Sequence, residues 1–129
     1  MAEKNRKTDI IIGKLLEDSN LTPKQLEALL LYSSSIEQRI VKNGYVDIDG
    51  KKVSKGAFFR ILSQAKKNVR KSIVTLILMS YTGLMDVDQF SAIMQIANIM
   101  MQSKGQDEDL IRTLLEKLKV IVDIRKRAK

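Results

Sequence analysis

The sequence predicts an all-α fold, and three observations carry that prediction. Apolar residues recur at helical spacing in several separate stretches, β-branched alternation is rare, and one proline and six glycines stand among 129 residues. An apolar content of 44% is enough to build a core, and the length lies within the range of one domain, alone or with a dimerising tail.

Thr8 can cap a first short helix whose Ile11, Ile12, Leu15 and Leu16 share a face, ending near Asn20. Leu21-Thr22-Pro23 then starts a second helix, with Thr22 as N-cap, Pro23 at the first helical position, and Leu26, Leu29 and Leu30 at helical spacing. The run Ser33-Ser34-Ser35 leaves two readings open. Either one helix crosses residues 23–43, or a further helix holds Ile36, Ile40 and Val41.

Asn43-Gly44 supplies a left-handed helix stop, and residues 45–53 read as two short extended pieces about an Asp49-Gly50 turn, hence a small hairpin or ordered loop. Ser54 caps the central helix. At about 100° per residue, Phe58, Ile61, Leu62, Ala65, Val69, Ile73 and Leu76 fall in one arc. Arg60, Ser63, Gln64, Lys67, Arg70 and Lys71 fall in the opposite one. From Ser72 onward Val74, Ile77 and Leu78 make the polar side apolar as well, up to a stop at Gly83, so the second half of this helix is expected to be buried.

Asp86 can cap a helix to about Ser103, whose Val87, Phe90, Ile93, Met94, Ile96, Ala97, Met100 and Met101 cover more than half its circumference and ask for partners on several sides. The last helix starts near Asp107. Its Leu110, Ile111, Leu114, Leu115, Leu118, Ile121 and Val122 lie within an arc of roughly 180°, and it leads to Arg125-Lys126-Arg127-Ala128-Lys129. Two apolar helices in so short a chain leave surface for a second copy. Residues 84–129 are therefore expected to complete the core and form a homodimer, and residues 1–83 to hold the binding region.

Cysteine and histidine are both absent. This removes disulfide frameworks, thiol nucleophiles, zinc sites built on those residues, and the commonest general base. The charged start, Met1-Ala2-Glu3-Lys4-Asn5-Arg6-Lys7, precedes only a short apolar patch, which suggests neither a signal peptide nor a membrane span and favours a cytoplasmic, nucleoid-associated location.

The net charge of +8 is concentrated. Residues 1–49 sum to −1 and residues 86–129 to +1, whereas residues 50–85 hold eight basic side chains (Lys51, Lys52, Lys55, Arg60, Lys66, Lys67, Arg70, Lys71) and no acidic one. An ordinary solvated helix interleaves Glu with Lys. A run this one-sided is the footprint of a polyanion binder.

Leu21-Thr22-Pro23-Lys24-Gln25 with Leu29-Leu30-Leu31-Tyr32, followed by Val53-Ser54-Lys55-Gly56-Ala57-Phe58-Phe59-Arg60-Ile61-Leu62-Ser63-Gln64-Ala65-Lys66, resembles the DNA-binding fourth region of bacterial sigma factors and related archaeal regulators. The resemblance covers residues 21–71, and its motifs are moderately specific. It implies a helix-turn-helix-type bundle in which the helix from Ser54 lies in the major groove of double-stranded DNA. Ser54, Lys55, Gly56, Phe59, Arg60 and Ser63 would meet base edges, and Gln64 a base or phosphate. Arg60 suits guanine and Phe59 a thymine methyl. Lys51, Lys52, Lys66, Lys67, Arg70 and Lys71 would serve phosphates. The family joins its two helices by a tight turn, whereas residues 44–53 stand between them here.

The remaining motifs have plain roles. Asp47 and Asp49-Gly50 sit at partial calcium-loop spacing, but that register puts Tyr45 at the first ligand and Gly56 where a bidentate Glu belongs, so no metal is implied. Asp86-Asp88 and Asp107-Glu108-Asp109 stand where helix N-termini favour negative charge, which leaves no catalytic carboxylate and no cofactor or small-molecule site. Met85, Met94, Met100 and Met101 suit core or dimer packing. The expected activity is DNA binding by a transcription regulator or nucleoid protein, not enzymatic. The alternative is an adaptor that docks its basic helix on an acidic protein. Aromatic content of 5% disfavours single-stranded RNA, whose recognition leans on stacking.

Overall fold

The computed structural model describes residues 2–34, 41–48, 50–103 and 107–124, with side chains from Ile10 onward. Helix α1 (Ala2–Glu17) begins well before Thr8, which therefore lies inside the helix and does not cap it. Most of residues 2–7 are good helix formers, and nothing in that run stops the turn from extending backward.

Helix α2 (Pro23–Ser34) opens on a reciprocal capping box. The Gln25 N–H donates to Thr22 Oγ1 and the Thr22 N–H to Gln25 Oε1, both at 3.1 Å. At its other end Ser33 and Ser34 return their hydroxyls to the carbonyls of Leu30 and Leu31 at 3.0 and 3.4 Å. A single helix over residues 23–43 is excluded, because Val41 and Lys42 are extended. The alternative helix around Ser35, Ile36 and Ile40 lies outside the described residues, although Val41 is not part of it.

Three short antiparallel strands follow, β1 (Val41–Lys42), β2 (Tyr45–Ile48) and β3 (Lys51–Ser54), in the order β1-β2-β3. Asn43 and Gly44 have φ of 54° and 80°, which makes them a two-residue hairpin turn of the kind that needs two left-handed residues, and not a helix stop. Lys42 pairs with Tyr45 across it. Gly50, at φ 80°, closes the second hairpin, where Ile48 pairs with Lys51; Asp49 lies outside the described residues. The fold is thus helix-rich with a small sheet in place of the expected hairpin or loop.

Helix α3 (Lys55–Tyr81) leaves β3 with no linker, since the last strand residue, Ser54, is also the helix cap. Helices α4 (Val87–Ser103) and α5 (Glu108–Ile121) complete the chain. Gly83, at φ 76°, ends the turn after α3. Asp86 and Gln89 form a second capping box, with bonds of 2.8 and 2.9 Å between side chain and backbone N–H each way. Asp107 caps α5 by accepting from the Leu110 N–H at 3.0 Å. Among the described residues no helix is long and apolar enough to cross a membrane.

Contacts divide the chain into two units, residues 18–74 and residues 1–17 with 75–129, a division that falls within α3. In the first unit Val46 and Ile48, alternate residues of β2, turn inward with Ala28, Phe58 and Leu62 to form a core bordered by Leu29, Leu31, Val41, Val53, Phe59 and Ile61. In the second, Ile11, Met85, Ile96, Ile111 and Leu114 are buried. There the Gln89 side chain donates to the Ile121 carbonyl at 2.7 Å, joining the start of α4 to the end of α5 and setting those helices antiparallel.

The expected burial of the second half of α3 is also overturned. Ile73, Val74, Ile77 and Leu78 are 54–59% exposed, so the second half of α3 is not buried. A helix that is apolar all round needs partners on every side. A single chain of this length does not supply them.

Candidate nucleic-acid interface

The basic half of α3 is held from three directions within residues 18–74. At its start Ser54 Oγ accepts from the Ala57 N–H at 3.1 Å, and the Lys55 N–H donates to the Gly44 carbonyl at 3.0 Å. The first helical turn is therefore tied to the β1–β2 hairpin as well as to β3. Along its inner face Phe58, Leu62 and Ala65 are buried. Further on, Asn68 Nδ2 donates to the Asn20 carbonyl at 3.1 Å and to Gln25 Oε1 at 3.2 Å, and Asn20 Nδ2 donates to Ser72 Oγ at 2.9 Å. These bonds clamp α3 to the start of α2.

With the inner face fixed, the outer face is determined by rotation. Gly56, Arg60, Ser63, Lys67 and Lys71 follow one another at three- and four-residue steps with Gln64 beside Ser63, and all six are exposed. Lys55 and Arg70 flank that stripe and are exposed too, as are Ser54, Lys51 and Lys52 at the β3 end. The positive field of residues 50–71 is thus presented along one helix and the strand that feeds it.

Two of the expected contact residues have packing roles. Phe59 is half-buried, its ring edge-on to Phe58 at 5.2 Å and to Tyr32 at 6.5 Å, so it belongs to the border of the core and not to the outer stripe. Lys66 places its Nζ 4.6 Å from the centre of the Tyr32 ring, a cation–π contact that draws it toward α2 while leaving it exposed.

The sheet adds residues that sequence reasoning missed. Lys42, Tyr45 and Asp47 are exposed on the strands beside Lys52, and with Leu31, Asn43 and Val46 they line a cavity of about 410 Å³. Asp47 sits directly across from Lys52 in the register, which places an opposite charge beside one basic residue. Asn43-Gly44 was the available signal, since that dipeptide between alternating apolar residues marks a hairpin and would have put Lys42 on a strand beside Tyr45. The Asn68 clamp had no such signal, its partners being more than forty residues away in sequence.

No protein-family model, curated protein or solved structure matches this chain.

Proposed function

We propose that the chain binds double-stranded DNA, as a transcription regulator or nucleoid-type protein, through the outer stripe of α3 with β3 beside it. The observation that supports this most is the exposed, carboxylate-free basic stripe of α3 on a helix held rigid by a core, a cap and an asparagine clamp. Electrostatic attraction of phosphate requires the first property, and a defined register on the duplex requires the second. From Gly56 to Lys71 the stripe runs about 22 Å at about 1.5 Å per residue. A helix of that length and of ordinary diameter fits a major groove about 12 Å wide.

In this reading α2 supports α3, and the sheet takes the place of the tight turn of a helix-turn-helix. Arg60, Ser63 and Gln64 face base edges, and Ser54, Lys55 and Gly56 form the turn that enters the groove first. Lys51, Lys52, Lys66, Lys67, Arg70 and Lys71 serve phosphates. A duplex is favoured over a single strand because Phe58 and Phe59 are packed in or against the core and Lys66 lies over the Tyr32 ring, which leaves exposed Tyr45 beside Lys52 where single-strand recognition stacks successive bases on several rings.

The test is binding of labelled duplex by the full chain across a salt series, followed by selection from random duplexes. A steep fall in affinity with salt is expected, with Arg60→Ala relaxing discrimination at one position of the selected site. Absent or salt-insensitive binding overturns the proposal. If an acidic protein then co-purifies after nuclease treatment, the adaptor reading replaces it.

A further inference from the structure

Helix α4 carries two apolar faces, and the chain uses one of them. Gln89, Ala92, Ile93, Ile96, Met100 and Ser103 are buried or half-buried within the unit of residues 1–17 and 75–129. Val87, Phe90, Met94, Ala97 and Met101 form an adjoining stripe along the helix and are exposed, Val87 at 79%, Met94 at 57% and Met101 at 74%. Their spacing is three, four, three, four, the a/d repeat by which one helix packs against another. Asp88 is the one charged residue among the 17 of α4.

We infer that this seam is covered by α4 of a second copy of the chain, antiparallel about a two-fold axis through Met94. In an isologous interface each residue meets its mirror position on the partner. Antiparallel pairing about Met94 sets Phe90 against Ala97 of the other copy, a large side chain against a small one, and Val87 against Met101. Met94 meets itself, and its flexible thioether tolerates that.

The area is sufficient for a stable dimer. A groove lined in part by Ile77, Tyr81, Val87 and Phe90 adjoins the start of the seam, with Tyr81 89% exposed. With Met94 and Met101 these six large side chains offer about 100 Å² each, about 1,200 Å² from two copies, which reaches the size of a specific interface before any polar rim is added. The chemistry of the seam also separates a second copy from other occupants. A helix lying on a lipid surface carries Lys or Arg on its polar face, and α4 has neither. A heterologous partner selected by charge would find none in the seam.

The inference is independent of DNA binding and is tested without DNA. Sedimentation of the full chain should give twice the 14.7 kDa of one copy. Met94→Glu, which brings like charges together at the two-fold axis, should raise the dimer dissociation constant about a hundredfold or more while leaving the helical circular dichroism of the monomer unchanged, since the site is exposed there. The chain has no cysteine, so introduced ones report geometry directly. Met94→Cys should form a disulfide-linked dimer with itself. Phe90→Cys should not, yet should cross-link to Ala97→Cys when the two are mixed. A wild-type chain that sediments as a monomer overturns the inference, as does a dimer that Met94→Glu leaves intact and Met94→Cys fails to link. Self-linking of Phe90→Cys overturns the antiparallel register.

Discussion

Replacing both Lys67 and Arg70 with alanine isolates the electrostatic part of the proposed interface. Both side chains are exposed on α3 and neither belongs to its core, so the fold should survive with unchanged far-UV circular dichroism. If Lys51, Lys52, Lys66, Lys67, Arg70 and Lys71 each neutralise one phosphate, the logarithm of affinity falls against the logarithm of salt with a slope of about −5.4, at about 0.9 per phosphate. Between about 50 and about 200 mM salt the wild type then loses affinity about 1,800-fold. The double variant has two contacts fewer, a slope of about −3.6, and a loss of about 150-fold over the same range. Fluorescence anisotropy with one fixed duplex measures both slopes. Because phosphate contacts carry no sequence information, the reduction should be the same on unrelated duplexes. A variant whose slope matches the wild type, even if its affinity is lower, refutes the assignment of these two residues to phosphates.

Substitutions at three further positions separate stability from binding. Ser54→Ala removes the cap of α3 and should cost about 1 kcal/mol in denaturant titration, whereas Ser54→Asp keeps a capping acceptor and the stability but puts a negative charge at the groove entrance and should weaken duplex binding. Gly44→Ala meets no neighbouring atom, so its whole cost, about 1 kcal/mol, should come from forcing a Cβ into φ +80°; Gly44→Asn should recover most of it. Gly56 sits in the first turn of α3 at ordinary helical φ with open space around it, so Gly56→Ala should stabilise the protein by up to about 1 kcal/mol. The same methyl group stands where the backbone would approach DNA, so affinity should fall while the melting temperature rises, and a parallel rise in affinity would move the groove entrance elsewhere.

The parts of the fold legible in the sequence are those decided by neighbours within four residues. Thr22 with Gln25, Ser54 before Lys55, Asp86 with Gln89, and Asp107 three residues before Leu110 each satisfy a helix end through a local side chain, and each stands in the structure where local chemistry puts it. Asn43-Gly44 shows where that logic stops. A left-handed pair suits both a helix stop and a hairpin, and the choice is made by Val41 and Val53 pairing on either side of Val46, which is not local. Thr8 was misplaced for the opposite reason, as a good cap residue standing inside a run of good helix formers. In the candidate interface the basic stripe is legible because exposure on a helix follows from rotation alone. Phe59 sits at the edge of that stripe, where only the position of Tyr32 decides between groove and core.

The two halves of α3 differ in a way that bears on how copies of a chain charged at +8 could associate. Residues 50–71 repel their counterparts, while residues 72–85 carry no charge of either sign. A contact made by Tyr81 and its apolar neighbours depends for its strength on apolar area, which salt does not weaken. Salt should weaken attraction to DNA and leave association between copies intact. A salt series on both binding and sedimentation therefore separates the two proposals, since an association between copies that weakens with salt in parallel with DNA affinity would mean that charge, and not apolar area, holds the copies together.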